Sequence, residues 1–250
     1  MTEETKQDTV AIAWCDNGLV DGKFMQGVAD VLLKSGIQFE TSIRSGGNQI
    51  ARQREHVIRY WYEKNLSDWL LWVDSDVVIS PEKFLRLWNK KDKDKHPIVT
   101  GVYFTSKTPE EPLMIPSPTV FEFVEKGDTI GIMPVHPLPD DKFIKVHAAG
   151  MGFVLMHRSV VEKIIKNVPH VPMFAEAGSE KTFIGEDIYF FSLCGKAGIE
   201  VWCDTGATVP HMKRFSFDEH YYKAFFGGVE KKNEKKIIVP QGAGKLITPK

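Results

Sequence analysis

The chain has 250 residues, the length of one large domain or two small ones, and enough to bury a sheet with helices on both faces. Its 32 Lys and Arg stand against 33 Asp and Glu, a formal charge of −1, which excludes a general polyanion binder and leaves no strong nucleic-acid signal. Hydrophobic content is 42%, and no apolar run approaches the ~18 residues of a membrane span, so a globular, soluble chain with no membrane span is expected.

The first eight residues, MTEETKQD, carry three acids and no apolar core of the secretory kind, which points to a flexible N-terminus and a cytoplasmic location. Cys15, Cys194 and Cys203 are odd in number and match no CxxC spacing, as reduced thiols would be.

TVAIAWC at residues 9–15 suits a buried strand that breaks at the turn sequence Asp16-Asn17-Gly18. Phe24, Val28, Val31 and Leu32 then repeat at helical spacing, with Gly36 placed for a left-handed cap. A second helical pattern follows Gly46-Gly47, with Ile50, Val57, Ile58 and Trp61 on one face. Arg52 and Arg54 at its beginning are ordinarily solvated or paired with acids such as Glu55. WLLWV at residues 69–73 is an unbroken apolar run, the habit of an interior strand covered on both faces. It stops at Asp74-Ser75-Asp76.

Ser80-Pro81 is a capped helix start, continued by Phe84 and Trp88. KKDKDK at 90–95 is a solvated charge run, PIVTGVYF at 97–104 a strand, and Pro109 to Pro118 a mobile loop too rich in proline for regular structure. VHAAGMGFVLMHRSVVEKII combines a strand of small residues with a helix whose capping box is Ser159 and Glu162. A loop from Pro169 to Phe183, a helix from Asp187 to Ala197 ended by Gly198, the strand IEVWC and a loop holding His211 complete the ordered part. Residues 226–250 read as a lysine-rich tail behind a single domain over 9–225.

GAGK at 242–245 lacks the spacing of a phosphate loop, and Cys203, Asp204 and His211 lack the spacing of a metal cluster. The chemistry gathers instead at Asp74 and Asp76. Two residues apart at a strand exit, they share a face if extended, at the carboxyl edge where open α/β sheets bind ligands. Their mutual repulsion is relieved by a divalent cation, and oxygen ligands suit Mg²⁺ or Mn²⁺ bridging to a diphosphate. The plainer reading is a turn that leads into the helix at Ser80.

The motif DSDVV resembles that of haloacid-dehalogenase-type phosphatases, which would make Asp74 a nucleophile and Asp76 its acid/base partner. A larger stretch, Val10 to His211, resembles a GT-A nucleotide-sugar glycosyltransferase of the family 2 type, as in bacteria and bacteriophages. VAIAWCDNG, IARQREHVI, WLLWVDSDVVISPEKFLRL, AGMGFVLMHRSVV, GEDIYFFSLCGKAGIEVWCD and the trailing His211 follow in that family's order. The resemblance implies an α/β fold with a Rossmann-like, mostly parallel central sheet flanked by helices. It implies a metal-dependent, hexosyltransferase-like transfer from a nucleoside-diphosphate sugar, a UDP- or GDP-sugar, to an unidentified acceptor hydroxyl, with Mn²⁺ or Mg²⁺.

Carried onto this sequence, the resemblance makes Asp76, His211 and Asp74 metal ligands and sets Asp16, Asn17, Arg54, Asp74 and Ser75 on the nucleotide-sugar. It brings Gly150, Met151 and Gly152 near sugar or acceptor, although close packing explains those glycines as well. Asp187, with Glu186 second, becomes the base for the acceptor, kept ionised by its place at a helix start and implying inversion. A helix cap is the plainer role for either acid. Arg54 is followed by Glu55 where the family favours asparagine, and residues 105–145, the acceptor side of such folds, show no motif. A noncatalytic nucleotide- or carbohydrate-binding module on the same fold is a further alternative.

Overall fold

The computed structural model describes residues 7–106, 116–126, 129–179 and 182–213 together with Glu219. Residues Met1–Pro109 and Met114–Lys213 form one compact unit, and Glu110–Leu113 with Arg214–Lys250 a second. Every element below belongs to the first. The expected tail over 226–250, GAGK and most of the expected loop over 109–118 lie outside the described residues.

β1 (Val10–Asp16) alternates, sending Ala11, Ala13 and Cys15 to one core face and Val10 and Ile12 to the other. α1 (Gly22–Lys34) starts where Asp21 Oδ1 accepts from Lys23 N at 2.8 Å and ends before Gly36, whose φ of +73° only glycine adopts without strain. β2 (Phe39–Gly46) is an edge strand absent from the sequence reading. Only Ile43 of FETSIRSG is buried, so the apolar alternation that marks a strand is missing, and parallel pairing to β1 orders it.

α2 (Ile50–Glu63) buries Val57, Ile58 and Trp61 and, unusually, Gln53 and Arg54. β3 (Trp69–Val73) is buried throughout. α3 (Pro81–Lys90) is capped by Ser80 Oγ, which accepts from Lys83 N at 3.3 Å. β4 (Ile98–Val102) leads into β5 (Phe104–Ser106), which pairs with β6 (Pro116–Pro118). β7 (Val120–Lys126) and β8 (Thr129–Pro134) form a hairpin, followed by β9 (Phe143–Val146) and by β10 (Ala148–Ala149), which extends that hairpin. The segment without a motif is thus mostly strand.

β11 (Phe153–His157) precedes α4 (Ser159–Asn167). The capping box expected there does not form: Arg158 occupies the cap position without a side-chain bond, and Ser159 Oγ lies 2.9 Å from His157 Nδ1. β12 (Ala177–Ser179) and β13 (Thr182–Ile184) make a small hairpin within the expected loop, before α5 (Glu186–Lys196) and β14 (Val201–Thr208).

The central sheet has seven strands in the order β2-β1-β3-β11-β4-β14-β9. All run one way except β11 and β9, which are antiparallel to their neighbours. α2, α4 and α5 cover one face and α1 and α3 the other, each with its own apolar core. The carboxyl ends of β1, β2, β3, β4 and β14 therefore meet at one rim, and reversed β11 delivers Gly150–Gly152 to the same place.

Candidate active site

At the exit of β3 the chain turns, Val77 N donating to Asp74 O at 2.9 Å. The turn is the finding that replaces the extended geometry in which both aspartates share a face: they diverge into two separate sets of partners. Asp74 N donates to Gly152 O at 3.1 Å, and Asp74 Oδ1 accepts from Arg54 Nη2 at 2.8 Å. The other arm of that guanidinium, Nη1, lies 2.5 Å from Glu186 Oε1.

Arg54 is only 5% exposed, and of the two readings its sequence allowed, solvated or paired with acids, the second holds, with Asp74 and Glu186 in place of Glu55. Position 54 falls on the inward face of α2, where β3 and α5 present acids, and an unpaired buried guanidinium would be prohibitively costly. Burial opposes its charge, but Asp74, Glu186 and Asp187 outweigh that and hold its pKa above the usual arginine value. Gly150, Met151 and Gly152 are buried behind this group. A Cβ on Gly152 would sit 2.9 Å from Asp74 Oδ2 and 2.8 Å from Tyr103 Cε1, and one on Gly150 would run into the Tyr103 hydroxyl. Close packing accounts for both glycines.

Asp76 meets His211. An isolated bridge pairs Val77 with His211, and Val78 N to Pro210 O at 2.9 Å and Met212 N to Asp76 O at 2.7 Å pin the two loops together. His211 Nε2 lies 3.2 Å from Asp76 Oδ2, and its Nδ1 lies 2.9 Å from the Phe104 carbonyl. A carbonyl only accepts, so Nδ1 carries a proton and Nε2 is directed at the carboxylate. Lys213 Nζ also reaches Asp76 Oδ2, at 2.8 Å. Burial works to raise the Asp76 pKa, but the hydrogen bonds from His211 and Lys213 win and bring it down to about 2. Among the described residues no three His, Cys, Asp or Glu side chains already form a metal cluster; Asp76 and His211 are a pair.

Glu186 and Asp187 open α5, with Gly185 at the cap and no side-chain cap bond there. Asp187 Oδ1 accepts from Ile188 N at 2.7 Å. Burial, assisted by Glu186 and Asp74 and opposed by Arg54, raises the Asp187 pKa. Desolvation thus works against the helix start, which favours the ionised form of this acid.

The first-strand loop forms the third part. Asp16 is held by both arms of Arg44, Nε at 2.6 Å and Nη2 at 2.7 Å, and accepts from Gly18 N at 2.7 Å. The hydrogen bond from Arg44 leads the effects that lower its pKa. Beside it opens a cleft of ≈ 340 Å³ lined by Cys15, Asp16, Asn17, Gly47, Asn48 and Ser75 among others. Gln53 also lines the cleft; it is 7% exposed, and its Oε1 has no hydrogen-bond partner among the described residues. Arg44, Gln53, Tyr103 and Lys213 were not found from sequence. Arg44 lies in the strand that carried no pattern, Gln53 sits in the IARQREHVI segment without a charge to mark it, and Tyr103 and Lys213 belong to no motif.

A central, mostly parallel sheet of this order, flanked by helices on both faces, is the architecture of the GT-A fold. Residues 27–165, more than half of the chain, match the model of glycosyl transferase family 2. The chain belongs to that family. Among solved structures, A197 from STIV is similar at 23% identity, covering 83% of this chain and 87% of that one, with a TM-score of 0.53. GalNAc-T7, crystallised with UDP, GalNAc and Mn²⁺, is similar at 11% identity and a TM-score of 0.52, over 84% of this chain and 45% of that one. Comparison with curated proteins gave no match. The phosphatase alternative falls with the family assignment. No helix among the described residues is long and apolar enough to cross a membrane.

Proposed function

We propose that this glycosyltransferase moves a hexosyl unit from a nucleoside-diphosphate sugar, a UDP- or GDP-sugar, to an acceptor hydroxyl with inversion, using a divalent cation at Asp76 and His211. The observation that carries the reading is the Asp76–His211 contact, made across 135 positions of sequence with the imidazole already turned by the Phe104 carbonyl. A hard carboxylate oxygen and a ring nitrogen oriented from behind by a backbone acceptor fit Mn²⁺ or Mg²⁺. That GalNAc-T7 was crystallised with UDP and Mn²⁺ supports the same choice. When bound, the cation supplies positive charge to the diphosphate as it departs.

The chain's own residues do the rest. The cleft with Asp16, Asn17 and Ser75 on its wall takes the nucleoside, and the buried amide of Gln53 offers it a polar contact. Asp74, with one carboxylate oxygen on Arg54, has the other for the ribose, the sugar or the cation. The acceptor hydroxyl attacks the anomeric carbon, its proton passes to Asp187, and the bond from that carbon to the diphosphate breaks. A raised pKa suits Asp187 to this task, because a base is most effective near the working pH.

The test is a thermal-shift panel of UDP, GDP, CDP and ADP, each with and without Mn²⁺. Ligands that bind only the folded chain raise its melting temperature, by ~2.7 kcal/mol of stability at a hundred times Kd. UDP or GDP with Mn²⁺ should stabilise the protein, and Asp76→Ala should remove the metal-dependent part. Stabilisation by nucleotide that ignores Mn²⁺ in both proteins would defeat the metal assignment.

A further inference from the structure

We propose that Arg54 is a positioning residue that divides the work of the two acids at the start of α5: by pinning Glu186 against Asp74 it leaves Asp187 as the carboxylate free to take the acceptor proton. The inference rests on the transferase reading above and assigns the roles within it. Its basis is geometric. One planar guanidinium spans two acids delivered by different elements, Asp74 from the exit of β3 and Glu186 from the first turn of α5. The side chains involved are 6%, 26% and 14% exposed, so little water competes with the fork. Among the described residues Asp187 has no such side-chain partner; its carboxylate accepts from the neighbouring backbone N–H of Ile188.

The next residue on α2 works in the same direction. Glu55 Oε2 accepts from Met173 N at 2.8 Å and Phe174 N at 3.0 Å. Consecutive side chains of one helix thus fasten both ends of the segment from Met173 to Glu186, which contains the β12–β13 hairpin and delivers the acid pair. Simple charge balance would be served by any buried cation. The fork is not, because the ammonium of lysine is a point charge that cannot present two parallel arms to acids on separate elements.

The experiment measures nucleoside diphosphate released from UDP-glucose, UDP-N-acetylglucosamine and GDP-mannose with Mn²⁺ and water as acceptor, giving kcat and KM for whichever donor the wild type turns over best. Arg54→Lys should lower kcat by about 10²-fold, the cost of a misplaced catalytic group, with the donor KM nearly unchanged. If that variant melts too low to assay, Glu186→Gln decides the matter, since a neutral amide still accepts from the guanidinium. It should lose roughly five- to tenfold in kcat where Asp187→Asn loses 10²-fold or more. Full kcat in Arg54→Lys, a change confined to KM, or a loss in Glu186→Gln as deep as in Asp187→Asn overturns the division of roles while leaving the transferase reading intact. A wild type that releases no nucleoside diphosphate from any of the donors removes both.

Discussion

Asp187 and Asp16 are both carboxylates at the rim of the sheet, yet their surroundings push them in opposite directions. Burial raises Asp187, so between its unfolded and folded pKa values the native state holds a proton that the unfolded chain has released. Stability therefore falls as pH rises through that interval. Replacing Asp187 by Asn should flatten the decline in melting temperature as pH rises from the ordinary carboxylate pKa to the raised one, and leave the variant the more stable above that interval. An unchanged pH profile would show that this acid is not desolvated. Asp16 has the reverse sign: its contribution is present above the ordinary carboxylate value and is lost as pH drops through a lowered pKa. Gly152 is held to glycine by space rather than by backbone angle. Gly152→Ala should cost ~1–3 kcal/mol in chemical denaturation, because neither the Tyr103 ring nor Asp74 can recede without breaking a contact. A wild-type midpoint would refute that packing.

Among the elements, those that declared themselves in sequence did so through apolar period and end signals. β1, β3, α1 and α3 are of this kind. Ser80 caps α3 as its position before Pro81 implies, and Ser80→Ala should destabilise the fold by ~1 kcal/mol, read as a lower denaturant midpoint with unchanged slope. β2 stayed hidden because an edge strand with a single buried residue needs no apolar alternation. The same holds for β5 to β8, which pair mainly in local hairpins away from the central sheet. At α4 a good capping sequence went unused. The helix begins one residue earlier than the serine requires, and the hydroxyl pairs with His157 instead.

The described unit closes over its three cysteines, all free and buried. Cys194 and Cys203 lie deep in the core beneath α5 and β14, and Cys15, though on the cleft wall, is only 6% exposed with a thiol pushed up to about 12 by burial. A thiol-specific reagent at neutral pH should therefore label the native chain no faster than it unfolds, and a denaturant series should make labelling follow the unfolding transition. Rapid labelling of one thiol in native buffer would mean that the rim around Cys15 opens independently.

Local signals were enough to mark the α/β class and the rim-side Asp-Ser-Asp, whereas the acid pair of α5 stood out only through the family resemblance. Local signals depend on neighbours within a few positions, such as an apolar run before a turn. Even the later meeting of Asp76 with His211 was expected only because the order of motifs resembled a known family. The partition of the site arose elsewhere. That Asp74 faces Arg54 and Glu186 while Asp76 faces His211 and Lys213 depends on a turn after β3 and on three chain segments converging at one rim. Arg54 shows the reason most directly: in sequence it is one charge among many on a polar helix, and only when β3 and α5 close around it does water leave. A solvated cation then becomes a buried fork between two acids 112 positions apart, by the difference between separations of 132 and 20 from Arg54. Periodicity records which face of an element is covered; it carries no information about which distant charge will share that cover.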